Sequence, residues 1–483
     1  MMVHAQSYPP QWWGLPRMSP VRRRGSVLVI VLWIAFGLVS LALYFANSMN
    51  FELRASDNRV SALAADQSIE GAVRYLDYLL AAQAADGSNG LFLSLSDAQC
   101  QAVPVGEARY WLIGRDTNNP VGPGQRCFGL VDEASKLNLN TATSNAIIWL
   151  PRMTVDLTQA ILDWRDTNGN GPTVTYYAMQ QPSYQCKCDL FETVDELRLL
   201  YGADMDTLLG EDANRNGVLD PNETDDDQNG MLDPGVLEYF TVYSREPNTN
   251  SEGVARINIS SLSSSSTQLS SLLQTNFGAT RANEVLRNLG LSIGGSSPAP
   301  GGGRSSGGRS SGAVTTVRFT SPLQFFVRSG LTATEFAQMA TNLTTKSGSY
   351  IEGRVNVNTA SAAVLACLLD GDTAVAEQLV NYRQSNPNNL TSIAWVVDAL
   401  GQSNTEALQA LQAGDYITTE SYQFTADIAA LGPYGRGYRR VRIVFDTSSG
   451  TPKIVYRQDL TQRGWALGQL VRQQWLLAKE TRS

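Results

Sequence analysis

Histidine is almost absent from this 483-residue chain; His4 is the single one. Counting alone therefore excludes a Ser-His-Asp triad, a Cys-His pair and any multi-His zinc site. Basic residues are also scarce, 37 Lys plus Arg against 45 Asp plus Glu, for a formal net charge of −8. A non-specific nucleic-acid binder needs a basic face to attract phosphate, so the acidic balance argues against one. Charged residues make up 17% and apolar residues 43%, which suits a folded protein with a sizeable core. At roughly 150 residues per domain the length allows about three.

The most telling absence is local. From Ser26 to Asn50 there is no charged residue, and Val27 to Ala46 is mostly apolar. Twenty such residues make a helix of about 30 Å, the thickness of a bilayer core. Arg17, Arg22, Arg23 and Arg24 precede this run with no acid among residues 1–25, so the positive-inside rule places that end in the cytoplasm. A secretory signal peptide has a shorter apolar core and a small-x-small site after it. Here the helical pattern runs on, with Ile69, Val73, Leu76 and Leu80 on one face.

One phrase recurs downstream. Lys136–Thr141, Arg256–Ser261 and Arg354–Thr359 each alternate apolar and Asn or Ser residues, and each precedes a helical stretch. Each reads as a short strand, a polar cap at Thr or Ser, then two helices, as in helix-hairpin-helix or SAM-like units. DNA-binding hairpins of that kind meet phosphate through Gly-apolar-Gly backbone. The first hairpin here is Pro151–Thr154 and the third holds Asp370–Asp372, without paired glycines, so packing for protein contacts is the favoured reading. Residues 294–312 contain only Gly, Ser, Pro, Ala and Arg and read as a flexible linker dividing the outer part. Tyr110–Ile113, Cys127–Val131, Thr316–Phe319 and Gln324–Val327 have strand character, and Arg439–Phe445 with Lys453–Arg457 forms a β-hairpin. The segment from Trp465 to Trp475 fits a strand or a helix.

Residues 212–223, DANRNGVLDPNE, satisfy a twelve-residue EF-hand-type loop. Asp212, Asn214, Asn216, Asp220 and Glu223 supply side-chain oxygens, Val218 its carbonyl, and Gly217 the sharp turn. Ca²⁺ is a hard cation needing six to eight oxygens, which is why alternate residues converge. The rival reading is a solvated acidic turn, but seven constraints hold together here. A second copy has Asp225, Asp227, Asn229, Gly230 and Asp233, with Val236 where the bidentate acid belongs. Glu238 would replace it if the backbone bends, and calcium and plain turn both stay open there. Asp166–Gly171 has only the first half of the pattern and reads as an ordinary turn. Five cysteines remain: Cys100 pairs plausibly with Cys127, Cys186 and Cys188 fit a disulfide or free thiols better than zinc, and Cys367 lies in an apolar helix.

Arg22–Ser26 followed at once by an apolar helix resembles the class III leader of type IV pilins and pseudopilins. That resemblance implies cleavage by a prepilin peptidase after Gly25, with N-methylation of Ser26. The fifth mature position is Ile30, where most pilins carry Glu; K-type minor pseudopilins of the type II secretion system lack that Glu. Val131–Asn140, Ala160–Asp166, Glu192–Leu197, Leu200–Gly202 and Leu237–Ser244 add to the resemblance to this family.

The family implies an α+β fold: an N-terminal transmembrane, pilin-like helix and a pseudopilin α/β domain with a large inserted helical (SAM-like or helix-hairpin-helix-like) domain. Its implied role is a non-enzymatic tip subunit of the pseudopilus, which initiates assembly and supports export of folded proteins across the outer membrane. The implied partners are the I-type and J-type minor pseudopilins, the major pseudopilin, the prepilin peptidase, the secretin and secreted substrates, with no nucleic acid. The chain would cross the inner membrane once, N-terminus cytoplasmic and bulk periplasmic, with structural Ca²⁺. The expected borders are 1–25 leader, 26–47 transmembrane helix, 48–136 pseudopilin helix and first strands, and 137–293 inserted domain with calcium loops. Then come the 294–312 linker, 313–415 strands and third repeat, and the 416–483 hairpin region. The alternative is a membrane-tethered helix-hairpin-helix protein for DNA binding or uptake, which demands a basic face and Gly-rich hairpins.

Overall fold

The computed structural model describes residues 26–115, 126–263, 267–291, 316–401 and 404–480. The expected leader, with Gly25, and the 294–312 linker lie outside them. A helix runs from Ser26 to Ala85. In its first part the side chains of residues 27–47 are all exposed, and the helix is long and apolar enough to cross a membrane.

From Ser61 onward the chain forms one compact unit. There the same helix buries Ala65, Ile69, Ala72, Val73, Leu76 and Leu80 against an antiparallel sheet, including the four residues whose spacing announced that face. The sheet strands are β1 (Val103–Val105), β2 (Ala108–Leu112), β3 (Val131–Asp132), β4 (Gln423–Leu431), β5 (Arg439–Asp446) and β6 (Lys453–Asp459). Their order is β1-β2-β4-β5-β6, and β3 also pairs with β4. Strand β4 is thus central, and all nine of its residues are buried. Phe424, Ala426, Ile428 and Ala430 join the core under the helix. Ala429 and Leu431 instead pack with Trp111, Ile113, Ala466 and Leu467. Alternation along a strand sends successive side chains to opposite faces, and the alanines let a helix lie close.

Between β3 and β4 the chain leaves the sheet for almost three hundred residues, and the three recurring phrases organise this insertion. Each opens with a two-residue strand and closes with a parallel partner. Leu137–Asn138 pairs with Phe240–Thr241, Ile257–Asn258 with Leu343–Thr344, and Val355–Asn356 with Ile417–Thr418. The opening Asn side chain accepts from the amide two residues on in every repeat, Asn138 from Asn140, Asn258 from Ser260 and Asn356 from Asn358. The closing Thr does likewise, Thr241 for Tyr243, Thr344 for Lys346 and Thr418 for Glu420. These local bonds end each strand after two residues. The helix caps fall two residues beyond the Thr of the phrase, at Thr143 and Ser361.

The strand expected at Gln324–Val327 and the Cys100–Cys127 pairing are corrected, and the choice left open at the last segment is resolved. Residues on both sides of the Gly/Ser segment, among them Leu286, Leu289, Leu291, Phe319 and Leu323, share one core with all three repeats. Packing thus draws no border between the described residues on its two sides. Gln324–Val327 lies in the helix Pro322–Ser329, where Ser321 accepts from the Gln324 amide and proline sits at the first turn. The last segment is a helix, Gly468–Glu480. Cys100 and Cys127 are not joined by a disulfide; Cys100 donates to the Ser96 carbonyl at 3.1 Å. Cys367 is buried as expected.

The joints between repeats meet at a buried ionic hub. Arg354 donates to Glu246 and, at 2.6 Å, to Asp415, while Arg256 donates to Glu420 at 3.1 Å. Three carboxyls face two guanidiniums, leaving one negative charge in excess. Burial and the neighbouring Glu246 push Glu420 up to about 7, so the folded hub keeps a proton that the unfolded chain gives up near pH 4.5.

Stability should fall as pH rises from about 4.5 through 7, and E420Q should flatten that fall in denaturant titrations at pH 5 and 8; parallel slopes would contradict it. Separately, a chain nicked at a protease site engineered into 294–312 should still elute as one species in size exclusion. Separation of the fragments without denaturant would show that they do not share a core.

Candidate metal centre

The short helix Met205–Leu209, capped by Asp204, stops at Gly210. Gly210 bridges to Pro234, with φ +57° and so little room that an added Cβ would sit 2.4 Å from the Asp233 carbonyl. This close approach pins both ends of residues 211–233, which fold as two consecutive loops.

The two loops share their internal bonds. In the first, Asp212 accepts from the Gly217 amide at 2.8 Å and Asn216 accepts from Val218 at 2.9 Å. In the second, Asp225 accepts from Gly230 at 2.9 Å and Asn229 from Met231 at 2.5 Å. Gly217 and Gly230 both have positive φ, as do Arg215 and Gln228 at the equivalent position two before. The weaker sequence copy is therefore a structural copy of the first half of the loop.

The first loop buries its acids. Asp212, Asn214, Asn216, Val218 and Asp220 are buried. Glu223 accepts from the amides of Asn214 at 3.1 Å and Asp220 at 2.9 Å. Asp220 accepts from both Asn214 and Asn216 side-chain amides. The Asn214 Oδ1 is buried with no hydrogen-bond partner among the described residues. Burial, reinforced by Asp212 and Asp220, pushes Glu223 up to about 7; burial also raises Asp212. An orphaned oxygen among crowded, desolvated carboxylates is the donor set that a hard cation satisfies. Asp212, Asn214, Asn216, Asp220, Glu223 and the Val218 carbonyl are the residues that would hold such an ion, although the acids already gathered within 4.8 Å of one another among the described residues are those of the second loop.

The second loop differs from expectation at its last ligand. Glu238 is engaged elsewhere: it forms a salt bridge with Arg115 at 2.7 Å, and although burial opposes it, that guanidinium holds its carboxyl down at about 2. The acid that joins Asp227 and Asp233 is Glu211, all three oxygens lying within 4.8 Å of one another. Glu211 itself accepts from the amides of Asp226 and Asp233, and Asp225 Oδ1 is a buried orphan. Glu211 precedes the first loop, so no loop pattern points to it; only the Gly210–Pro234 bridge brings it round. Asp166 caps an exposed turn by accepting from the amide of Asn168. In the first hairpin, Arg152 pairs with Asp206 and Asp226. Ser26 is the first residue of the long helix.

A long N-terminal helix on an antiparallel sheet, interrupted by a helical insertion, is the arrangement expected of the α+β fold. Residues 355–414, most of the third repeat, match the sequence model of the family described as type II secretion system (T2SS), protein K. That is the family whose resemblance the motifs carry. No curated protein matches the chain. Among solved structures, it is similar to a chain of the GspK-GspI-GspJ complex from the enterotoxigenic Escherichia coli type 2 secretion system. The identity is 10% and the TM-score 0.36, over 82% of this chain and 97% of that one.

Removing one partner of a buried ion pair strands the other. Arg115→Met should therefore cost about 3 kcal/mol in denaturant unfolding, and the double variant with Glu238→Met should recover part of it. Additive losses in the double variant would mean that the pair does not interact.

Proposed function

We propose that this chain is a K-type minor pseudopilin that sits at the tip of a type II secretion pseudopilus, where it initiates assembly and supports export without catalysing a reaction. The observation that carries this reading is the family match inside the third repeat, set in a helix-and-sheet unit that the repeats interrupt. The apolar helix from Ser26 crosses the inner membrane once, with the arginine cluster cytoplasmic and the sheet and repeats periplasmic. Prepilin peptidase cuts after Gly25, and Ser26 becomes the methylated N-terminus. Ile30 in place of an acid suits a subunit that is not added onto an older one. Its partners are the I-type and J-type minor pseudopilins; the similar complex joins GspK to GspI and GspJ. The major pseudopilin, the secretin and secreted substrates are further contacts. Ca²⁺ in the two loops is structural, bracing acids that would otherwise repel. The pairing of Arg152 with two acids leaves the first hairpin poorly suited to phosphate, which weighs against DNA uptake.

The test is purification from the native membrane under mild detergent. The chain should start at Ser26 and carry two smaller pilin-like proteins with it. A retained Met1, a start beyond residue 46, or recovery of the chain alone would contradict the proposal.

A further inference from the structure

The first loop does more than hold its own acids. Three successive carbonyls, those of Asn214, Arg215 and Asn216, are all taken by guanidiniums that belong to the sheet unit. Arg440 of β5 is wholly buried. It donates to the Asn214 and Arg215 carbonyls, both at 2.6 Å, and to Asp427 of β4 at 2.8 and 2.7 Å. Arg442 joins Asp427 at 2.8 Å and the Arg215 carbonyl at 3.3 Å. Arg115, just beyond β2, donates to the Arg215 carbonyl at 3.0 Å and that of Asn216 at 3.2 Å. At the far end of the loop, Arg126 binds Asp220 at 2.5 Å and the Ala466 carbonyl at 2.9 Å.

The same residues thus work on two sides. Their carbonyls point to arginines of the sheet, while the Asn214 and Asn216 side chains join the acid cluster with Asp212, Asp220 and Glu223. A guanidinium with no access to water must keep every acceptor it has, because a buried unpaired donor bears the full desolvation cost. A rearrangement of residues 214–216 on the acid side therefore strips acceptors from Arg440.

We infer that residues 212–223 act as a cation-dependent bolt, with Arg440, Arg442 and Arg115 as positioning residues that pass the state of the loop to strands β4 and β5. The inference rests on the reading that the loop binds Ca²⁺. The coupling runs both ways: the ion orders the carbonyls that the arginines need, and the arginines pre-set the loop for the ion.

Hydrogen exchange on the full chain in detergent tests it. Adding EGTA to the calcium-loaded protein should raise exchange at 212–223 and also across 423–446. The D212N/E223Q variant should show that raised exchange with calcium present and ignore EGTA. Arg440→Lys, which keeps the charge but loses the fork to two carbonyls, should bind Ca²⁺ about tenfold more weakly by calorimetry. Should Arg440→Lys not fold, the exchange data on the other two proteins decide. If EGTA loosens 212–223 while 423–446 stays unchanged, the bolt is overturned and the calcium loop stands. If calorimetry finds no Ca²⁺ bound to the wild-type chain, the calcium reading falls and takes the bolt with it.

Discussion

The Arg440–Asp427 pair is the contact around which the sheet and its insertion are assembled. Both side chains are essentially out of water, and neither could be placed there alone, since an unpaired buried charge is prohibitive. Although burial opposes it, Arg440 and Arg442 hold the Asp427 carboxyl well below the usual carboxylate range. One face of the sheet is closed by the long helix with small and apolar residues. The other face carries this ion pair and needs polar partners, which the inserted loop supplies as backbone carbonyls. The insertion is thereby bonded into the sheet it interrupts.

The same economy appears within the insertion. Three short parallel pairs, each opened by an Asn and closed by a Thr that bonds its own backbone, would be too small to persist singly. They persist because the helices between them share one core, and because Arg354, Glu246, Arg256 and Glu420 lock the joints. The match to protein K covers the third unit, and the two earlier units carry the same backbone bonds.

The parts that were legible in the sequence had a local physical cause. A charge-free run, a 3.6-residue periodicity and a thrice-repeated phrase each come from interactions between near neighbours. Most of the rest depended on distance. Strand β4 is rich in alanine and broken by Asp427, so it lacks the β-branched alternation that marks a strand; its identity comes from neighbours far away in the chain. The Gly/Ser stretch looked like a border because composition says nothing about where the chain returns. Phe325 and Phe326 suggested a strand, while the Ser321–Pro322 start signal, which is local, was there to be read. In the second loop, Glu238 was the nearer acid in sequence, yet Arg115 claims it and Glu211 arrives from the opposite direction.

In the proposed reading, the sheet and its insertion are held together by a loop whose donor set suits a hard cation. Native mass spectrometry of the full chain, released from detergent in the presence of calcium, tests it most directly. At least one Ca²⁺ should be bound, and it should disappear when Asp212 and Glu223 are both made amides. A wild-type chain that carries no ion, or a variant that keeps the same number, would contradict it.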